Sequence, residues 1–116
     1  MAKKKKKYPD PLRRRHLVEQ GMDPARALQI AEAYLEEDRA MEAVAFLMKA
    51  EAWERLASLR EQAVREGDVF LLRDVSTALA EEVDAGTWRA LAEAARAAGK
   101  DRYAAEASRQ AARLED

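Results

Sequence analysis

AEAYLEEDRAMEAVAFLMKA, residues 31–50, returns in altered form as AEAARAAGKDRYAAEASRQA, residues 92–111. In each copy a run of small residues leads into a short polar turn, and alanines recur after the turn. One offset of 61 residues pairs four alanines of the first copy with four of the second: Ala31, Ala33, Ala43 and Ala50 with Ala92, Ala94, Ala104 and Ala111. A fixed internal period is typical of stacked helical hairpins, whose usual role is to hold a partner.

The composition is that of one small helical domain. The chain has 116 residues and is 48% hydrophobic but only 6% aromatic, so close contacts between alanine-lined helices should supply much of the packing. No stretch alternates apolar and polar residues as a half-buried strand would. We expect an all-α fold of three stacked antiparallel helical hairpins, preceded by a short N-terminal helix.

Missing residue types and patterns exclude several classes of protein. The chain has no cysteine, which excludes disulfides, thiol catalysis and cysteine-based zinc sites. The N-terminus lacks the apolar segment of a secretory signal, and there is no apolar run of about 18 residues that could span a membrane. We therefore expect a cytoplasmic protein with no membrane span.

Charge is distributed unevenly along the chain. Residues 1–16 carry a net +7 and the remainder carries −8, so a basic arm precedes an acidic body. We expect residues 1–9 to form a disordered basic arm and residues 10–21 a short helix that extends its charge. The basic side chains of this region are Lys3, Lys4, Lys5, Lys6, Lys7, Arg13, Arg14 and Arg15.

Three roles for this arm stay open. Its positive side chains could neutralise phosphates, which would give salt-dependent binding of nucleic acid or the ribosome. Only Tyr8 is present to stack on a base, so reading of base sequence is not expected. The arm could instead be a solubility tail, or it could dock onto an acidic surface of this chain or of a partner.

Aspartate followed by proline marks two helix starts, at Asp10-Pro11 and Asp23-Pro24. Aspartates and isolated glycines bound the later segments. The predicted helices cover residues 11–20, 24–37, 40–49, 52–66, 69–82, 85–98 and 101–114. No Gly, Pro or Asn lies between residues 39 and 66. A tight turn near residues 49–52 is predicted there, and one long helix over residues 40–66 is the alternative.

Two tryptophan segments resemble the tetratricopeptide repeat family. Trp53-Glu54-Arg55-Leu56-Ala57 and Trp88-Arg89-Ala90-Leu91-Ala92 each place Leu three residues after Trp, with a small residue next. They lie 35 residues apart, against a family period of about 34. The resemblance covers residues 24–116, within a repeat domain assigned to residues 22–116. The middle unit departs from the pattern, or belongs to the looser hairpins of clathrin- and coatomer-type solenoids.

The resemblance implies a concave binding groove lined by the first helix of each hairpin. It places Glu32, Leu35 and Glu36 in the groove in the first unit, and Arg89, Glu93 and Arg96 in the third. Helical spacing agrees that each set shares one face. The aromatic residues Phe46, Trp53, Phe70 and Trp88 are expected to pack in the core, since they recur at helical spacing.

No set of residues supports catalysis or metal binding. His16 is the only histidine, and the paired carboxylates at residues 36–38 and 81–82 fall at helix ends, where solvation is expected. We expect no enzyme activity and no cofactor or metal. The leading hypothesis is a protein-interaction module that binds a peptide or helix of a partner protein. The alternative is a nucleic-acid- or ribosome-associated protein that binds through its basic arm.

Overall fold

The computed structural model describes residues 8–19 and 21–115, and nothing further is said of residues outside those ranges. Within them the chain is helical and contains no strand, which confirms the all-α fold class. The helices are α1 (Pro11–Glu19), α2 (Pro24–Glu36), α3 (Ala40–Lys49), α4 (Trp53–Glu66), α5 (Val69–Leu79), α6 (Ala85–Ala97) and α7 (Asp101–Glu115).

Aspartate side chains cap three of the helix starts. A carboxylate oxygen accepts a backbone N–H three residues ahead at Asp10 (2.9 Å), Asp68 (3.0 Å) and Asp84 (2.7 Å). The bond from the Thr87 backbone lowers the pKa of Asp84, because it favours the charged carboxylate. Asp23 precedes α2 without a side-chain cap, so that start depends on the proline that follows.

Five helices end in the same backbone turn. A residue with a left-handed backbone lies at or just past the end of each helix: Asp38, Glu51, Gly67, Ala80 and Gly99, with φ between 54° and 76°. In each case the next residue donates its N–H to a carbonyl five residues back, as in a Schellman motif. These bonds join Arg39 to Tyr34, Ala52 to Leu47, Asp68 to Ala63, Glu81 to Ser76 and Lys100 to Ala95.

The turn at Glu51 separates α3 from α4, so the tight turn predicted near residues 49–52 is confirmed and the single long helix is wrong. The left-handed residue Ala80 also ends α5 at Leu79, three residues before the predicted boundary. The chain divides into two compact units, the first ending at Trp53 and the second beginning at Glu54.

In the first unit, α2 and α3 pack against each other as a helical hairpin across the turn at Asp38. Its core combines small residues with a few large ones, as the alanine repeat predicts. The buried side chains are Leu17, Ala27, Ile30, Ala31, Ala33, Tyr34, Ala43, Val44, Phe46 and Leu47.

In the second unit, α6 and α7 form the corresponding hairpin, again lined by alanine. The turn after α4 packs against α6, because a Cβ on Gly67 would lie only 2.5 Å from Cα of Ala95. Lys100 donates from Nζ to the carbonyl of Glu66 at 2.7 Å, which satisfies a free carbonyl at the end of α4. The large buried side chains here are Leu56, Leu59, Val69, Leu71, Leu72, Val75, Trp88 and Leu91.

The expectation that four aromatic side chains lie in the core is correct for two of them. Phe46 is fully buried and Trp88 is 5% exposed. Trp53 is 47% exposed and Phe70 is 55% exposed, so the core assignment is wrong for both. Trp53 is the first residue of α4. The rings of Phe70 and of Tyr103 of α7 form an edge-to-face pair with centroids 5.7 Å apart.

None of the helices in the described ranges is both long enough and apolar enough to cross a membrane.

Candidate protein-binding groove

An open groove runs along one face of α2 in the first unit. Its volume is ≈ 1020 Å³, and its walls come from α1, α2 and the segment from Tyr8 to Asp10. We call it the α2 groove. The residues that decide its chemistry are Leu17, Leu28, Ile30, Arg13, Arg26, Glu32 and Glu36.

The groove has an apolar floor. Leu17 of α1 and Ile30 of α2 line it while each is mostly covered by neighbouring residues, and Ala33 adds a small residue between them. Leu28 is 39% exposed and offers apolar surface that the fold does not cover. Apolar surface within a concave site is the usual anchor for a bound side chain.

The groove also carries charges of both signs. Glu32 and Glu36 lie four residues apart on α2, which places their side chains on one helix face. Arg13 of α1 and Arg26 at the start of α2 line the same groove. The structure thus brings together two glutamates assigned to the groove and one arginine assigned to the basic arm.

Leu35, the third groove residue of this unit, is half-buried near the end of α2 and does not line the α2 groove. Sequence reasoning missed Arg13 and Arg26 as groove residues. Arg26 lies on α2, and the helical spacing of that segment could have placed it beside the groove glutamates. Arg13 lies on α1 and lines the groove only because of how α1 packs, which the sequence does not reveal.

The residues placed in the groove in the third unit lie on α6, in the other compact unit. Arg89 forms an ion pair with Glu115 near the end of α7. Glu93 and Arg96 are exposed. A separate, shallower groove of ≈ 610 Å³ lies between α4 and α6, and its lining residues do not include these three. Their role in binding stays a prediction.

An aromatic stack lies beside the α2 groove. The rings of Tyr8 and Tyr34 have centroids 4.6 Å apart, and those of Tyr34 and Phe46 are 5.8 Å apart. The Tyr34 hydroxyl donates to the carbonyl of Pro9 at 2.9 Å. Burial raises the pKa of Tyr34, while the nearby guanidinium groups of Arg14 and Arg39 act in the opposite direction. Tyr8 and Pro9, which the sequence assigns to the arm, therefore lie against the helical body.

The basic residues assigned to the arm fall into two groups, one before and one after Tyr8 in the sequence. Lys3–Lys7 lie outside the described residues, so their predicted role is untested. Arg13 lines the α2 groove, and Arg15 is exposed. Arg14 is half-buried and donates to the backbone carbonyl of Glu42 at 3.3 Å. Binding of nucleic acid through this arm stays a hypothesis.

In the part of the chain that the structure describes, no three His, Asp or Glu side chains are arranged to hold a metal ion. His16 is exposed on α1. Comparisons with protein-family models, with curated proteins and with solved structures found no match to this chain. The resemblance to the tetratricopeptide repeat family is therefore supported only by the sequence positions described above.

Proposed function

We propose that this protein is a non-enzymatic interaction module that holds a peptide or a helix of a partner protein in the α2 groove. The observation that carries this proposal is the groove itself, an open depression of ≈ 1020 Å³ with an apolar floor and charged walls. Grooves of this kind receive a short segment through a few apolar anchors, and charges around them set its orientation.

The proposed architecture is a stack of three tetratricopeptide-like hairpins. Two regularities support it. Six of the eight alanines paired by the 61-residue offset are buried, which is the role of small residues where helices approach closely. The left-handed turn residues Asp38 and Gly99, within the first and last hairpins, are separated by the same 61 residues. One period therefore describes both the packing residues and the turns.

The charges of the groove indicate the chemistry of the partner. Glu32 and Glu36 favour a basic side chain, while Arg13 and Arg26 favour an acidic one. Leu28 offers a contact for an apolar side chain between them. We therefore expect a short amphipathic segment of mixed charge. An interface this small is typical of transient complexes, so an affinity in the micromolar range is expected.

A peptide-display experiment tests the proposal. The full-length chain is used to select binders from a random peptide library, and the selected peptides are then measured by fluorescence anisotropy. The Glu32→Lys/Glu36→Lys double variant should lose most of the affinity while its melting temperature changes little, because charges at a surface contribute little to stability. The matched control reverses Glu37 and Glu54, two exposed glutamates that line neither groove.

The control variant should bind as the wild type does. If the Glu32→Lys/Glu36→Lys variant bound the selected peptides as tightly as the wild type does, binding would take place elsewhere on the chain. Failure to select any peptide that binds with a saturable 1:1 isotherm would contradict the interaction-module proposal.

A further inference from the structure

A second, smaller cavity shares Tyr8, Pro9 and Asp10 with the α2 groove. Its volume is ≈ 260 Å³, and we call it the two-arginine pocket. It is lined by the arginines Arg14 and Arg39, the tyrosines Tyr8 and Tyr34, and the carboxylates Asp10 and Glu42.

Arg14 enters this pocket with an unsatisfied donor. Its Nε atom is buried and has no hydrogen-bond partner. One terminal nitrogen of the same guanidinium donates to the Glu42 carbonyl, but at 3.3 Å, which is long for a charge-assisted bond. A buried donor on a charged group is costly to leave unpaired, and buried polar groups in proteins are nearly always paired. Arg14 therefore lines the pocket with a guanidinium group that is incompletely hydrogen-bonded.

Arg39 supplies a second guanidinium. Its central carbon lies 4.9 Å from the ring centroid of Tyr8 and 5.8 Å from that of Tyr34, so the rings hold the planar group in place. A hydrogen bond with Tyr8 is the largest factor that raises the pKa of Arg39. Its ion pair with Glu42 is long, at 3.4 Å, and uses one of the five N–H donors of the guanidinium.

The two acidic side chains of the pocket are already engaged. Asp10 accepts the backbone N–H of Arg13 as the cap of α1, and Glu42 accepts from Arg39. Arg14 lies over the ring of Phe46, with 6.0 Å between its central carbon and the ring centroid, and has no carboxylate bonded to it among the described contacts. The unmet requirement is for hydrogen-bond acceptors next to Arg14, and a ligand that carries only acceptors fits it.

We propose that the two-arginine pocket binds a phosphoryl group, held between Arg14 and Arg39. A phosphoryl group presents several acceptor oxygens with a charge approaching −2, so it can accept from the guanidinium groups of Arg14 and Arg39 at once. The volume of the pocket is sufficient for such a group but not for a long ligand. The phosphoryl group comes either from free phosphate or from a phosphorylated side chain. This proposal does not depend on the function of the α2 groove.

Isothermal titration calorimetry of the full-length chain with inorganic phosphate, at about 0.15 M salt to screen the basic arm, tests the proposal. We expect saturable 1:1 binding. Arg39→Gln should weaken it about tenfold or more, and Arg39→Lys should restore only part of it, because a lysine keeps the charge but not the planar fork. The control is Arg102→Gln, which removes the same charge from an exposed site on α7 that lines neither groove nor this pocket, and should leave phosphate binding unchanged.

A parallel titration with O-phosphoserine distinguishes the two sources. Tighter binding of phosphoserine than of phosphate identifies a phosphorylated side chain, and tighter binding of phosphate identifies the free ion. All three variants are first checked for an unchanged circular dichroism spectrum, so that a loss of binding reports on the pocket. The proposal is overturned if neither ligand saturates, or if Arg39→Gln and Arg102→Gln weaken binding equally, as loss of a general electrostatic attraction would.

Discussion

Gly67, in the turn between α4 and α5, lies so close to Ala95 of α6 that a Cβ on the glycine would be 2.5 Å from Cα of the alanine. This position needs glycine for two independent reasons. Its backbone is left-handed, with φ of 70°, and its neighbour is backbone that cannot easily move aside. Gly99 shares the first requirement, with φ of 76°, but has open space around it.

The pair Gly67→Ala and Gly99→Ala separates backbone strain from crowding. Gly99→Ala should lower the free energy of unfolding by about 1–2 kcal/mol, the cost of a left-handed alanine. Gly67→Ala should lower it by about 2–5 kcal/mol, because overpacking against α6 adds to the same strain. Urea denaturation of both variants measures the difference. Equal losses would mean that Gly67 does not contact α6 closely in solution.

Ala80 offers the opposite test, since it adopts a left-handed backbone without being glycine. Ala80→Gly should raise the free energy of unfolding by about 0.5–1 kcal/mol, because relief of strain exceeds the entropy that glycine adds to the unfolded chain. Ala105→Gly, at an exposed position within α7, is the matched control and should lower it by about 1 kcal/mol. Destabilisation by both variants would show that Ala80 is not left-handed.

The two tryptophans should respond differently to truncation. Trp88→Ala should cost about 3–5 kcal/mol, because it leaves a cavity in the core of the second unit. Trp53→Ala should cost under about 2 kcal/mol, since nearly half of that side chain is in solvent. Chemical denaturation followed by circular dichroism provides both values. A loss under about 1 kcal/mol for Trp88→Ala would contradict its assignment to the core.

Glu106 of α7 should make stability depend on acidic pH. Hydrogen bonds from Gln110, Arg109 and Arg73 lower the pKa of Glu106 from 4.5 to about 2. Because the pKa is lower in the folded state than in the unfolded state, the ionised carboxylate stabilises the fold at pH values above the unfolded pKa of 4.5. This stabilisation is lost as the pH falls toward the folded-state pKa of about 2. The urea midpoint of Glu106→Gln should therefore lie below that of the wild type at pH 7, and the two should converge near pH 2.

A matched variant tests the cause of that behaviour. Arg73→Gln/Arg109→Gln removes two of the donors to Glu106 but keeps the carboxylate. Without these donors the pKa of Glu106 in the folded state should lie closer to 4.5, so the loss of stability on acidification should be smaller than in the wild type and should be complete at a higher pH. A wild-type to Glu106→Gln difference that stays constant from pH 7 to pH 2 would contradict the assignment.

Helix starts were predictable from the sequence because their signals are local. A carboxylate at Asp10, Asp68 or Asp84 bonds to a backbone group three residues away, so the signal and its effect lie within one turn. Helix ends were predictable where glycine takes the left-handed position. They were less so at Ala80 and Glu51, because non-glycine residues there carry no such signal although their backbone is left-handed.

The candidate site was predictable where its residues lie close together in the sequence. The spacing of Glu32 and Glu36 placed them on one face of α2, and both line the α2 groove. Arg39 and Tyr8 could not be predicted to meet at Tyr34, because that contact joins residues far apart along the chain and depends on how the N-terminal segment folds back. Periodicity predicts which residues share a helix face but not which distant segment packs against it.

Chemical-shift mapping by NMR tests the interaction-module account most directly. The ¹⁵N-labelled full-length chain is titrated with a display-selected peptide, and the amide signals that move are assigned. The account predicts saturable changes concentrated at Arg13 and along α2 from Arg26 to Glu36, with α4 to α7 little affected. Changes confined to the residues from Glu54 onward, or no saturable change at all, would contradict it.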